Sequence, residues 1–307
     1  AESQPDSENQ PSAEPLPEPP PPSDDARRFF DLSLPEPVLR ATTDLGFQYC
    51  TPIQDKLLPA ALQGRDTTGR AQTGTGKTAA FLITILTRIL RQTDAKPRDR
   101  GKPRALILAP TRELARQIEA EARELGRHTP ARMLALYGGE PYEKQFRRME
   151  EGPVDIVVAT PGRLLDCIGR GKIDLRQVEV LVIDEADRML DMGFIPDVRR
   201  IVGRTPPVGR RQTMLFSATL TPDVVRLAGQ WMKDPVTVEI DPEPVAVDTV
   251  DQQIFVVTNR KKFALLYNLL QRNPQETALV FANRRDVVAR LGDRLKEQGI
   301  SCAVMSG

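Results

Sequence analysis

The feature that most constrains this chain is a repeating alternation. Short runs rich in Val, Ile and Leu occur at 104–109 (RALILA), 131–137 (ARMLALY), 154–159 (VDIVVA), 178–184 (VEVLVID) and 213–218 (TMLFSA). Longer stretches with helical spacing separate them. Runs that are apolar at nearly every position belong to strands covered on both faces, as in parallel sheets. The stretch from Lys77 to Leu90 places Phe81, Leu82, Ile85, Leu86, Ile89 and Leu90 along one side of a helix. Such alternation over roughly two hundred residues predicts a doubly wound α/β domain built on a parallel sheet.

A length of 307 residues suits two domains. After EIDPEPVAVDTVDQQ (239–253), rich in acids and interrupted by two prolines, the rhythm restarts. QIFVVT (253–258), TALVFA (277–282) and SCAVMS (301–306) read as strands, with helices at 260–271 and 284–298 between them. The expected organisation is a first α/β domain over 26–240, a linker over 241–252 and the start of a second α/β domain over 253–307. Residues 1–25 carry seven acids, no Lys or Arg, and almost no large apolar side chains. Such a segment cannot bury enough surface to offset its chain entropy and is predicted to be disordered.

Removing that tail leaves 43 basic against 35 acidic residues. A basic body is compatible with a polyanionic partner, though many enzymes share it. The three cysteines, Cys50, Cys167 and Cys302, form no C-x-x-C pair, which argues against a disulfide framework or a zinc site. The longest apolar region, near Leu82–Leu90, is broken by Thr84, Thr87 and Arg88 and is too short to span a bilayer. No basic segment followed by an apolar one opens the chain. A cytoplasmic, probable-monomer solution state with no membrane partner is expected. The absence of an initial Met and the end at CAVMSG give the expectation of a piece of something longer.

The chemistry concentrates in GRAQTGTGKTAAFL (69–82). A phosphate-binding loop reads G-x-x-x-x-G-K-[ST]. Gly76, Lys77 and Thr78 satisfy its end, while Ala71 replaces the opening glycine. Thr73, Gly74, Thr75 and Gly76 offer backbone amides at a helix N-terminus, where phosphates bind. Lys77 supplies a cation for the β- and γ-phosphates, and Thr78 a hydroxyl for Mg²⁺. Downstream, VLVIDEAD ends an apolar strand in Asp184 and Glu185. An acid at such a strand end holds Mg²⁺, largely through water, and its neighbour can orient or deprotonate the attacking water.

DEAD at 184–187 together with AQTGTGKT at 71–78 resembles the DEAD-box ATP-dependent RNA helicase family, whose own phosphate loop starts with alanine. The remaining boxes follow in the family's order. GFQYCTPIQ (46–54) resembles the adenine-reading Q motif, with Phe29 at the upstream aromatic position. PTRELARQI (110–118), GG (138–139) and TPGR (160–163) resemble the RNA-backbone motifs. SAT (217–219) resembles the motif that couples ATP to strand separation, and LVFANRR (279–285) the first motif of the second domain. The likeness covers Phe29 to Gly307 and implies two RecA-like domains, the second one partial.

The roles that this resemblance implies are as follows. Gln54 would pair through its carboxamide with the donor and acceptor of the adenine edge together and select ATP over GTP. Phe29 would stack on the base; a core aromatic beside Phe30 is the competing reading. Lys77, Asp184 and Glu185 form the catalytic set, with Thr78 and Asp184 toward the metal. Asp187 would link to Ser217 and Thr219, and Ser217 is not read as a nucleophile. Pro110, Thr111, Arg112, Gly138, Gly139, Thr160, Pro161, Gly162, Arg163, Asn283 and Arg284 would hold RNA. These are hydroxyls, guanidinium groups and bare backbone, suited to phosphate and ribose but not to base edges. For Arg112 and Arg163 a surface charge at a helix start is the alternative. His128, the only histidine, is read as a solvated surface residue.

The family's cycle draws on arginines in later motifs of the second domain. The chain ends before them, so this piece is expected to bind ATP, Mg²⁺ and RNA weakly and to hydrolyse little. A narrower likeness to bacterial RNA-degradation members, through NRR, CTPIQ and RLLDCI, implies an RNA-decay ribonuclease scaffold as partner. The competing functional reading is an ATP-gated RNA clamp that nucleates an assembly. A DNA helicase or protein translocase fits the boxes less well.

Overall fold

Seven strands pair in parallel in the order β3-β4-β2-β5-β6-β1-β7 in a computed structural model of the protein. They are β1 Thr67–Arg70, β2 Ala105–Leu108, β3 Met133–Leu136, β4 Ile156–Ala159, β5 Val180–Ile183, β6 Gln212–Ser217 and β7 Val236–Glu239. The structure describes residues 27–72, 74–92, 99–240, 251, 253–273 and 277–305. The acidic tail expected at 1–25 and nearly all of the expected linker lie outside these. The chain divides into two units, Ala1–Glu243 and Pro244–Gly307.

In the first unit the strands alternate between two cores. Ala105 and Ile107 of β2, Val180 and Val182 of β5, and Met214 and Phe216 of β6 face one cluster. That cluster is closed by α1 (Glu36–Asp44), α2 (Pro52–Ala61), α3 (Lys77–Arg91) and α4 (Arg112–Leu125). Leu106 and Leu108, Leu181 and Ile183, and Leu215 face the other. That side is covered by α5 (Tyr142–Glu150), α6 (Pro161–Gly169), α7 (Ala186–Asp191), α8 (Ile195–Val202) and α9 (Pro222–Trp231). Side chains of a strand point alternately to its two faces, so the continuous apolar runs supply both cores at once. Each fully buried aliphatic side chain contributes about 1.5–3 kcal/mol. The doubly wound α/β fold expected from the alternation is the fold observed.

β7 was not among the expected strands. It pairs at the sheet edge with β1, and only Val238 of its four residues is buried, so its pattern is short and half polar.

In the second unit both expected helices form, as α10 (Lys262–Arg272) and α11 (Arg285–Glu297). The guanidinium of Arg294 lies 3.8 Å from the ring centre of Phe263. The strands expected at 253–258, 277–282 and 301–306 form no ladder among the described residues. A parallel strand gains its bonds only from flanking strands, and Ile254, Val256 and Phe281 are 93, 98 and 89 % exposed.

Candidate functional site

Because all seven strands run the same way, the loops that follow them gather at one edge of the sheet, where open α/β folds bind ligands. The loop after β1 needs glycine twice. Gly74 and Gly76 adopt φ of 82° and 90°, the left-handed region that other residues avoid. A Cβ on Gly76 would also stand 2.5 Å from Gln54 Nε2. Ala71 is buried, and its N–H donates to the Ser217 carbonyl at 3.1 Å. The opening of the loop is thus tied through its backbone to the end of β6. Thr75 Oγ1 donates to the Gln72 carbonyl at 2.9 Å; Thr73 lies outside the described residues.

Lys77 opens α3, and its Nζ lies 3.2 Å from Asp184 Oδ1 at the end of β5, with both side chains buried. Asp184 Oδ1 also accepts the Glu185 N–H at 2.9 Å. Asp184 Oδ2 is buried with no hydrogen-bond partner among the described residues. Burial pushes the Asp184 carboxyl above the ordinary carboxylate range, and the Lys77 ammonium opposes it. Thr78 follows, half-buried, on the first turn of α3. Glu185 has φ of 52°, a left-handed conformation that costs about 1–3 kcal/mol for a residue with a side chain. Its carboxylate meets Arg188 at 3.2 Å.

Asp187 joins this group to the end of β6. Its carboxylate accepts from the Thr219 N–H at 2.9 Å and from Thr219 Oγ1 at 3.0 Å, while its own N–H donates to Ser217 Oγ at 3.2 Å. Burial pushes the Asp187 carboxyl up, but the hydrogen bonds from Thr219 and Arg188 prevail and hold it below its usual value.

Gln54 and Phe29, both expected to contact the base, are buried. Gln54 is 3 % exposed. Its Oε1 accepts the Thr51 N–H and its Nε2 donates to the Gly76 carbonyl, each at 2.9 Å. Both ends of the carboxamide are thus engaged, and they tie the 46–54 loop to the phosphate loop. Phe29 is 2 % exposed, its ring stacked on Phe47 at 6.2 Å between centres, whereas Phe30 is 77 % exposed. Phe47 and Tyr49, half-open to solvent, line a cavity of about 640 Å³ with Phe29 and Phe30. Sequence reading passed over Phe47 and Tyr49, although they stand inside the quoted GFQYCTPIQ segment.

The first-unit residues proposed for RNA follow β2, β3 and β4 and so lie on the same edge. Thr111 caps α4, its Oγ1 accepting the Leu114 N–H at 3.2 Å, directly after the buried Pro110. Arg112 is exposed and pairs with Glu113 at 2.5 Å. A Cβ on Gly139 would stand 3.1 Å from the Arg112 guanidinium. Gly138 and Gly139 are exposed, and the latter has φ of 84°. Thr160 precedes α6, which Pro161 and Gly162 open. Arg163 donates to Gln145 Oε1 at 3.2 Å and to the Glu140 carbonyl at 3.0 Å. Its guanidinium carbon lies 3.9 Å from the centre of the Tyr142 ring. Gln145 in turn donates to the Tyr137 carbonyl at 3.0 Å. Tyr142 and Gln145 therefore fix Arg163 against the Glu140 carbonyl in the segment after β3, a role no local motif announces. Asn283 and Arg284 belong to the second unit, where Arg284 pairs with Asp286 at 2.9 Å.

His128 is not simply solvated: its Nε2 is 2.6 Å from Asp44 Oδ2. Among the described residues there is no cluster of three or more His, Cys, Asp or Glu fit to hold a metal. Nor is any helix long and apolar enough to cross a membrane. The donor set fits Mg²⁺ held with a nucleotide, since that ion keeps several waters and takes only one or two carboxylates plus phosphate oxygens. The unpartnered Asp184 Oδ2 and the nearby Thr78 hydroxyl supply that small number.

A phosphate loop and an acidic strand end that meet at one buried ion pair define a phosphate-loop α/β protein, and the chain belongs to the DEAD/DEAH box helicase family, whose pattern matches residues 51–227. Over 286 residues it is 54 % identical to the ATP-dependent RNA helicase RhlB of Pseudomonas aeruginosa (strain UCBPP-PA14), covering 93 % of this chain and 72 % of that protein. The protein of the same name from Pseudomonas putida is 51 % identical over the same coverage. Among solved structures, a DEAD box protein from the hyperthermophile Methanococcus jannaschii superimposes with a TM-score of 0.62 at 31 % identity, covering 91 % of this chain and 73 % of the other.

Proposed function

We propose that this chain is an ATP-dependent RNA helicase that couples ATP binding and hydrolysis to the local opening of RNA duplexes. The observation that most supports this is the 3.2 Å approach of Lys77 to Asp184, which joins the phosphate loop to the DEAD segment. Lys77, Thr78 and Asp184 would hold a magnesium-bound triphosphate, which supplies the phosphoryl chemistry when bound. Glu185, set apart by its left-handed backbone, would orient and deprotonate the attacking water. Gln54 would set nucleotide choice through the loop that it braces, with the adenine toward Phe47 and Tyr49. Ser217 and Thr219 would report the state of that site through Asp187.

The RNA strand would run over Thr111, Arg112, Gly139, Thr160 and Arg163, held through phosphate and ribose and therefore without sequence preference. Its affinity falls as salt rises. A cytoplasmic role in RNA decay beside a ribonuclease scaffold belongs to the same reading, carried by the likeness of NRR, CTPIQ and RLLDCI.

The test is an ATPase assay with and without single-stranded RNA, run on the chain and on Glu185→Gln. Turnover by this chain should be weak, as expected above for a piece without the later second-domain arginines, and RNA should raise what turnover there is. The variant should keep Mg²⁺-ATP binding and lose hydrolysis by about 10²–10⁴-fold. Nucleotide binding that RNA never influences, or turnover that survives in Glu185→Gln, would reject the proposal.

A further inference from the structure

The largest cavity among those described lies away from the loops discussed above. It has a volume of about 1110 Å³ and opens between the segments that lead into β2 and β5 and the turn that leads into β6. These are the N-terminal ends of the strands, and the nucleotide-site loops follow the C-terminal ends. Four strand residues at about 3.3 Å each separate the two poles at the least.

Six cationic side chains line the cavity: Arg100, Lys102, Lys172, Arg176, Arg204 and Arg210. Asp174 and Glu179 are the acidic residues of the lining itself, and both are already engaged. Asp174 binds Arg176 at 2.7 Å, and Glu179 binds Arg104 at 2.6 Å and Arg88 at 3.4 Å. Lys102 meets Asp99 at 2.5 Å and Lys172 meets Glu150 at 3.7 Å at the rim. Arg100, Arg204 and Arg210 have no acidic partner among the described residues. Behind the rim, Arg211 is 5 % exposed; its guanidinium donates to the carbonyls of Pro206 and Trp231, and no carboxylate lies within ion-pair reach among the described residues. The concentration of positive charge is therefore not balanced locally.

No aromatic side chain lines the cavity, so bases have nothing to stack on. Of its apolar lining, Ile173, Leu175 and Val178 are 4, 2 and 1 % exposed, Ile168 and Pro206 are half-buried and Pro207 alone is exposed, so a protein partner finds no large exposed apolar anchor there. The cations come from three separate loops around a wide mouth, which suits a chain of phosphates better than a single anion.

We infer that this cavity is a second RNA-backbone site, one that takes the phosphodiester chain of a long RNA beyond the part held at the helicase edge. The inference rests on the RNA-helicase reading and extends it: contacts at the far pole would anchor the substrate while the other edge acts on it.

The test compares the chain with Arg204→Glu/Arg210→Glu, using one single-stranded RNA of about 8 nucleotides, the size that one groove covers, and one of about 40. The thermal melting of both proteins is checked first, and Arg204→Gln/Arg210→Gln serves if the charge reversal unfolds the protein. Both proteins should bind the short RNA equally. The variant should bind the long RNA about tenfold more weakly, with a salt slope lower by about one per lost contact. Equal binding of the long RNA overturns the inference, including when an acidic peptide of residues 1–25 binds the chain and loses affinity for the variant. Failure of both proteins to bind the short RNA instead rejects the helicase-edge reading, so the two failures are told apart.

Discussion

Asp187 and Thr219 are joined twice, through the Thr219 amide at 2.9 Å and its hydroxyl at 3.0 Å to the same carboxylate oxygen. This pairing connects the segment after β5 with the segment after β6, and the first of these carries Asp184 and Glu185. Thr219→Val removes the hydroxyl bond but keeps the amide bond, and Ser217→Ala removes the acceptor of the Asp187 N–H. Each should cost no more than about 1 kcal/mol in stability. Mg²⁺-nucleotide affinity should stay within a factor of about three, while RNA stimulation and strand separation fall by about tenfold or more. Titration of a nucleotide analogue beside an unwinding assay checks this; parallel losses in both would show that the pairing serves only the fold.

Gln54 gives a second expectation. Its carboxamide bridges the Thr51 N–H and the Gly76 carbonyl inside the protein. Gln54→Ala leaves the part-buried Thr51 N–H without a partner and the Gly76 carbonyl with only the Ala80 N–H, and should lower stability by about 1–3 kcal/mol. Nucleotide affinity should drop along with it, because the phosphate loop loses its brace. Gly76→Ala should be worse, since it combines φ of 90° with a Cβ placed 2.5 Å from Gln54 Nε2. Urea unfolding and calorimetric titration on the two variants measure both effects.

The Asp44–His128 contact gives a pH expectation. The hydrogen bond from His128 holds the Asp44 carboxyl below its usual value. A carboxyl depressed in the folded state adds stability at pH values above its unfolded pKa of about 3.9, and that contribution is lost as the pH falls through the folded value. Wild type should exceed Asp44→Asn in stability near neutrality, and the gap should close in acid below the ordinary carboxylate range. Denaturant midpoints across that interval decide it; a gap independent of pH would mean that the carboxylate charge is irrelevant.

Thiol chemistry offers a fourth check. Burial pushes the Cys50 and Cys167 thiols up to about 11, so almost none of either is thiolate at pH 8. Cys302 is half-buried. Iodoacetamide should label Cys302 first in the native protein, and all three at similar rates in denaturant. Peptide mass mapping over time reads the order, and early labelling of Cys167 would contradict the packing described.

Much of the first unit was legible because it depends on local pattern. The runs at 104–109, 131–137, 154–159 and 178–184 contain β2 to β5, and 213–218 contains all of β6 but its first residue; buried parallel strands need little beyond continuous apolar character. Lys77 and Asp184 were legible for another reason: each ends or begins an element with an unmistakable rhythm. What escaped depends on contacts distant in sequence. Gln54 spends its amide on Gly76, 22 residues away, and Arg163 is fixed by Tyr142 and Gln145 from another helix. Phe29 and Phe30 are adjacent and chemically identical, so only packing could tell which is buried. In the second unit, the runs had strand composition, but a ladder requires neighbours that composition does not supply.

The Lys77–Asp184 pair has an electrical consequence for substrate entry. The buried pair is neutral in aggregate, one ammonium matched by one carboxylate. A metal-chelated triphosphate arrives carrying both signs, so the lysine trades one anion for another and the aspartate one cation for another. No uncompensated ion need be left in the interior during that exchange, and the barrier to loading is therefore set by rearranging partners, not by drying out a bare charge.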